Sequence, residues 1–274
     1  MKAKPVVLAA MRADRGSHRR PQTKGGAMRR AGISVAIIAV VLATSMPATA
    51  VNGGLDGNAH PNVGVMLGLD PEGEIIEFCI GVLISPTEFL TNFNCPSAVD
   101  FVRSIGGRTV ISFDPVFWPP EEARWRTVEA GYFHPDANPT NGTMEYGIAV
   151  LARPVRGIAP AELPTLQQLA SVDKKTQPLT VVGYGSPDGA RRAATTTIAA
   201  IDPTTIEVLN NTNATGQGGP CGDGGAPFFL GDSNVVVGVS DGETGHGHCN
   251  SISWAFRTDI EAARSFLDDF VSLP

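Results

Sequence analysis

Residues 219–232 read GPCGDGGAPFFLGD. Three glycines surround Asp223 and Pro227 follows, which is the composition of a tight turn. An apolar run, 226–230, comes next, and another, 234–240, follows Gly231-Asp232. Short apolar runs broken by turn residues are the grammar of antiparallel β structure. The same grammar recurs through the chain. Candidate strands lie at 62–68, 75–84, 88–93, 109–113, 124–133, 147–151, 178–184, 193–201, 204–209, 226–230, 234–240 and 251–257. No repeat period links them, so the reading is an all-β barrel or sandwich. The end differs. Thr258-x-x-Glu261 has the form of a capping box, and Ile260, Ala263, Phe266, Leu267, Phe270 and Val271 follow at helical spacing. One amphipathic helix is predicted over 258–271. The Pro-rich stretch 153–166 and the polar stretch 171–177 divide the β region into a lobe at about 51–160 and another at about 161–257.

The first 50 residues stand apart. Arg29-Arg30, the apolar run 33–44 and Ala48-Thr49-Ala50 have the order of a secretory signal peptide cut after Ala50. The run is short for a membrane span. Met28 is the favoured start, with 1–27 upstream of it. Residues 1–50 carry nine of the 21 Lys+Arg and one of the 27 Asp+Glu, leaving 12 basic and 26 acidic residues, a net charge of −14. That balance argues against nucleic acid or an anionic membrane as partner. A secreted, monomeric, membrane-free mature protein is expected. Four cysteines behind a signal peptide favour two disulfides over a metal site, and neither C-x15-C nor C-x27-C has zinc-ligand spacing. No cofactor or metal is expected.

Four segments then line up in order: Val51-Asn52-Gly53-Gly54; CIGVLISPTEFLTNFNC at 79–95; EYGIAVLARPV at 145–155; and PCGDGGAPFF at 220–229, followed by VVVGVSDG and Cys249. The set resembles the trypsin/chymotrypsin-like serine protease family, in particular its short secreted bacterial members, over nearly all of 51–270. The resemblance implies two antiparallel six-stranded β-barrels with a cleft between them and a C-terminal helix. It also implies the bridges Cys79–Cys95 and Cys221–Cys249.

The family's catalytic positions fall on residues that lack the chemistry. Thr91-Asn92-Phe93-Asn94-Cys95 puts Asn94 at the histidine. Gly147-Ile148-Ala149-Val150 puts Gly147 at the aspartate. Gly222-Asp223-Gly224-Gly225 puts Gly224 at the serine, or Gly225 if the alignment slides by one. In that mechanism a hydroxyl attacks, an imidazole moves its proton and a carboxylate orients the imidazole. Loss of serine or histidine alone costs roughly 10⁶ in kcat. The backbone N–H groups of Gly222 and Gly224 would remain as an oxyanion hole. Gly219 at the pocket base has no acid, and the pocket edge reads Ser240-Asp241-Gly242. A freed Val51 amine would pair with Asp223.

Other residues offer little replacement. Glu145 sits two before Gly147, on the same strand face. His60 and His134 read as loop or strand-end histidines. His246 and His248 read as a solvated turn, and Ser186 follows rather than centres its glycine pair. The expected function is that of a pseudoprotease binding a protein or peptide. The alternative is a serine-type endopeptidase with a rearranged site.

Overall fold

The structure, a computed structural model, describes residues 51, 53–138, 142–184, 188–209, 223–240 and 252–274. Seven strands begin the fold: β1 (Gly54–Leu55), β2 (Val63–Leu69), β3 (Ile75–Leu83), β4 (Glu88–Asn92), β5 (Arg108–Ser112), β6 (Arg126–Phe133) and β7 (Tyr146–Leu151). β2 to β7 close into a barrel in the order β2-β3-β4-β7-β6-β5. A second set follows: β8 (Pro178–Gly183), β9 (Arg192–Ile201), β10 (Thr205–Leu209), β11 (Pro227–Leu230), β12 (Val236–Ser240) and β13 (Ile252–Arg257). These run β9-β10-β13-β12-β11-β8, and β8 also pairs with β9, which closes a second barrel. β1 adds to β9 with Gly54 opposite Ala193. All twelve strands expected from alternation and turn chemistry are present, each shifted by no more than two residues at either end.

Burial on both faces explains why β2 reads as a continuous apolar run rather than an alternating one. Met66, Cys79, Phe89, Ile111, Val128 and Ala149 come from all six strands of the first lobe and pack together. The opposite faces carry Val65, Leu67, Ile80, Leu90, Val110 and Ile148, which join one core with the second lobe.

Two local readings need correction. The chain between β4 and β5 forms a helix, α1 (Asn94–Ser104), where no element was expected. Cys95, Val99 and Val102 face inward at helical spacing, and Pro96 sits in the first turn, where proline costs no hydrogen bond. The C-terminal helix, α2, spans only Glu261–Leu267 and has no side-chain cap. Thr258 does not form the expected capping box, because its Oγ1 donates to the Val236 carbonyl at 2.7 Å. The apolar face is as expected, with Ile260, Ala263, Phe266 and Leu267 buried.

Arg191 holds the segment ahead of β2 against both lobes. Its side chain is wholly buried. Its Nε donates to Asp56 Oδ2 at 3.0 Å, Nη1 to the carbonyls of Val63 and Phe113 and to the Tyr184 hydroxyl, and Nη2 to Asn58 Oδ1. These partners keep Asp56 ionised: although burial pushes its pKa up, the hydrogen bonds from His60 and Arg191 bring it down to about 2. Leaving one member of a buried ion pair alone costs about 3–5 kcal/mol. Arg191→Leu is therefore expected to lower unfolding free energy by about that amount, measured by denaturant titration.

His134 gives a second check. Burial under α2, beside Tyr146 and Phe266, pushes its pKa below the usual 6.5, against smaller opposing effects from the Ala262 backbone and Asp136. Its Nδ1 accepts from the Asp136 N–H at 3.1 Å, so the ring is held neutral. The unfolded chain takes up the proton first, so this stabilisation is present above about pH 6.5 and lost as pH falls below it. His134→Gln is expected to flatten the melting temperature between pH 7 and 5, read by calorimetry.

Candidate active-site cleft

The turn Asp223-Gly224-Gly225 belongs to the second lobe but docks on strands of the first. The Gly224 carbonyl accepts from Ile80 N on β3 at 2.8 Å, and Gly225 N donates to the Ser240 carbonyl at 2.9 Å. Gly225 has φ +83°, and a Cβ there would stand 2.1 Å from both the Ile80 carbonyl and Thr91 Oγ1. No side chain, and hence no hydroxyl, fits at 225. Asp223 is fully buried, and its Oδ2 accepts from Val51 N at 3.0 Å. Both pack against the bare backbone of Gly183, where a Cβ would lie 2.2 Å from Asp223 Oδ2 and 2.9 Å from Val51 Cγ2.

Asn94, Gly147 and Gly224 gather around Thr91 and Asn92. Asn94 opens α1 as an exposed residue, and its N–H donates to Asn92 Oδ1 at 3.2 Å. Gly147 on β7 pairs with Thr91. A Cβ at 147 would meet Pro96 Cγ at 2.3 Å and the Asn92 carbonyl at 2.6 Å. The proline ring thus fills the place a side chain on this strand would need. Thr91 supplies a buried hydroxyl here, but it donates to the Ile80 carbonyl at 2.6 Å. Glu145 is buried just ahead of β7, with its carbonyl accepting from Phe93 N.

The Cys79–Cys95 disulfide ties β3 to the start of α1. In the loop-entropy model such a loop restricts the unfolded chain by about 3 kcal/mol. Glu77 and these two sulfurs lie within 4.8 Å of one another, but the sulfurs are bonded together and offer no thiolate to a metal. Ser240 is buried at the end of β12, and its N–H donates to the Ala226 carbonyl at 2.9 Å. Gly219, Gly222, Asp241, Gly242, the Cys221–Cys249 bridge, His246, His248 and Ser186 lie outside the described residues. No described helix is long and apolar enough to cross a membrane.

Sequence reasoning missed Pro96 as a blocking group and α1 as the element that carries it. Proline two residues after Asn94, with Val99 and Val102 beyond, was the available signal of a helix start. It also missed the partner of His60, whose Nδ1 lies 2.6 Å from Asp56 Oδ1.

A family model for trypsin matches residues 53–265. The chain belongs to the trypsin family. Solved structures share the fold at low identity. A scabies mite inactivated protease paralogue is 18% identical with a TM-score of 0.60, covering 80% of this chain and 97% of its own. HL collagenase gives 18%, 0.60, 80% and 95%. Human heparin binding protein gives 18%, 0.59, 82% and 99%. No curated protein sequence matches the chain.

The crowding at 147 is directly testable. Gly147→Asp is expected to cost about 1–3 kcal/mol through overpacking. Pro96→Ala in the same chain should recover part of that loss, read as paired denaturant midpoints.

Proposed function

We propose that this trypsin-family chain is a secreted pseudoprotease that acts by binding a protein or peptide. The packing at Gly147 carries the reading. A residue merely missing from a catalytic position could be replaced by a neighbour. Here the space itself is taken, by Pro96 Cγ at 2.3 Å from any Cβ. A carboxylate at 147 therefore has no room to orient an imidazole at 94, and Asn94 supplies an amide that moves no proton near neutral pH. Gly225 excludes any side chain and Gly224 has none, so neither register of the loop supplies a hydroxyl. Thr91 is spent on a backbone carbonyl. The rearranged-peptidase reading would therefore need a nucleophile from outside the positions 94, 147 and 224.

The turn's anchor is kept while the chemistry is not. Signal cleavage after Ala50 would make Val51 N an ammonium, and that nitrogen already stands 3.0 Å from Asp223 Oδ2 in a buried setting. Such a pair would hold the 223–225 turn, so the fold of the loop needs no catalytic serine. Export is supported by the signal-like 29–50 segment and by the disulfide. A fluorophosphonate probe applied to the purified protein is expected to leave it unlabelled, alongside a labelled active trypsin. Stoichiometric labelling at any residue would overturn the proposal.

A further inference from the structure

A concavity of about 500 Å³ lies on the first lobe and shares no residue with positions 94, 147 and 224. Its floor follows from strand register. Ile75, Leu69 and Arg108 form one rung across β3, β2 and β5, and Leu67 and Val110 form the next. Alternation puts both rungs on one face of the sheet. Leu67, Leu69 and Val110 are buried, while Ile75 is 39% exposed. Trp125 closes the far end. It immediately precedes β6, whose Arg126 opposes Ile111, so it stands level with Ser112. Four residues of extended strand separate that level from Arg108, about 13 Å. The indole is fixed: Nε1 donates to the Pro120 carbonyl at 2.7 Å, and Phe117 stands edge-on 6.4 Å away between centroids. The result is a preformed apolar trough of small-ligand size.

Opposite charges stand toward its two ends. Arg108 is exposed, and its guanidinium has no ion pair or hydrogen bond among the described residues. Asp70, next to Leu69, is turned onto its own hairpin instead, where Oδ1 accepts from Glu74 N at 2.8 Å. Glu121 lines the trough from the 3-10 turn Pro120–Glu122, the turn that Trp125 is bonded to.

We propose that this trough binds a single-chain alkyl carboxylate, with its head on Arg108 and its tail along Leu69, Leu67 and Val110 toward Trp125. An unpaired guanidinium fork beside an apolar floor matches a carboxylate that carries an apolar body. Glu121 repels an anionic head at the Trp125 end, which sets the direction. The inverse ligand, an alkylammonium with its head on Glu121, would gain only an exposed ion pair with a solvated carboxylate, and such pairs contribute little. A carboxylate on Arg108 gains two parallel N–H bonds. The acidic balance of the whole chain does not decide the matter, because exposed charges more than about 8 Å apart are largely screened at physiological salt. The site stands whether or not the cleft cuts peptides.

The purified protein is titrated with hexanoate, octanoate and decanoate below micelle-forming concentrations, following tryptophan fluorescence and calorimetric affinity. Each added CH₂ is expected to raise affinity by up to about fourfold. Decanol and decyltrimethylammonium should bind more weakly than decanoate. Arg108→Met keeps an apolar stem on an exposed residue and removes the guanidinium. It should weaken decanoate about tenfold, as expected for loss of a charge-assisted hydrogen bond, and leave decanol no weaker. Trp125→Phe should abolish the fluorescence change while calorimetric binding persists. No binding of decanoate overturns the site. So does affinity independent of chain length, decanol or decyltrimethylammonium binding as tightly as decanoate, unchanged decanoate affinity in Arg108→Met, or a fluorescence change that survives Trp125→Phe. Tighter binding of acetyl-Leu-Leu-Leu with a free carboxylate overturns the occupant in favour of a peptide terminus.

Discussion

A guanidinium with no access to water must find partners for each of its nitrogens, and Arg191 finds them on segments far apart in the chain. Asp56 and Asn58 come from the stretch before β2, the Val63 carbonyl from β2 itself, Phe113 from the end of β5 and Tyr184 from the end of β8. The Tyr184 hydroxyl in turn donates to the Asp114 carbonyl at 2.7 Å and lies 3.1 Å from that of Val63. Hydrophobic burial would permit the two barrels many relative positions, because it is not directional. This network permits few. A fully satisfied buried polar cluster adds rigidity that apolar contact alone does not.

The cleft inherits that rigidity. With the lobes registered, the 223–225 turn reaches across to Ile80 and Thr91, and only a residue without Cβ can make the approach at 225. The Asp223 carboxylate is buried behind it, bonded to Val51 N. Backbone contacts and one buried carboxylate hold the site's shape at this point. That is why the turn can keep its form without a side chain at 224 or 225.

How far the sequence could be read follows from the kind of interaction involved. Strands and their order were legible because alternation, β-branched runs and turn residues are local signals, and both lobes obey them. The pairing of Cys79 with Cys95 and the place of Asp223 were legible through resemblance, since ordered motifs carry their own geometry. Long-range packing was not. Nothing near Gly147 in the chain announces that Pro96 lies against it, and nothing near Asp56 announces Arg191, 135 positions on. The capping box at Thr258 failed for a related reason: a local pattern lost its hydroxyl to a strand it could not foresee, at Val236. α1 was missed although its apolar spacing was present, because the motif around Asn94 drew the reading toward a loop.

The proline against Gly147 also sets an order on change. An aspartate arriving first at 147 meets a ring and a carbonyl it cannot displace, so it is disfavoured while residue 96 is proline. Proline leaving first gains nothing, since no side chain waits to use the room. Neither single step improves on the present packing, and the two are separated in sequence, so they do not arise together from one event. The ring acts as a ratchet: it takes up the space that any side chain at 147 would need, so the bare backbone there is hard to change one residue at a time.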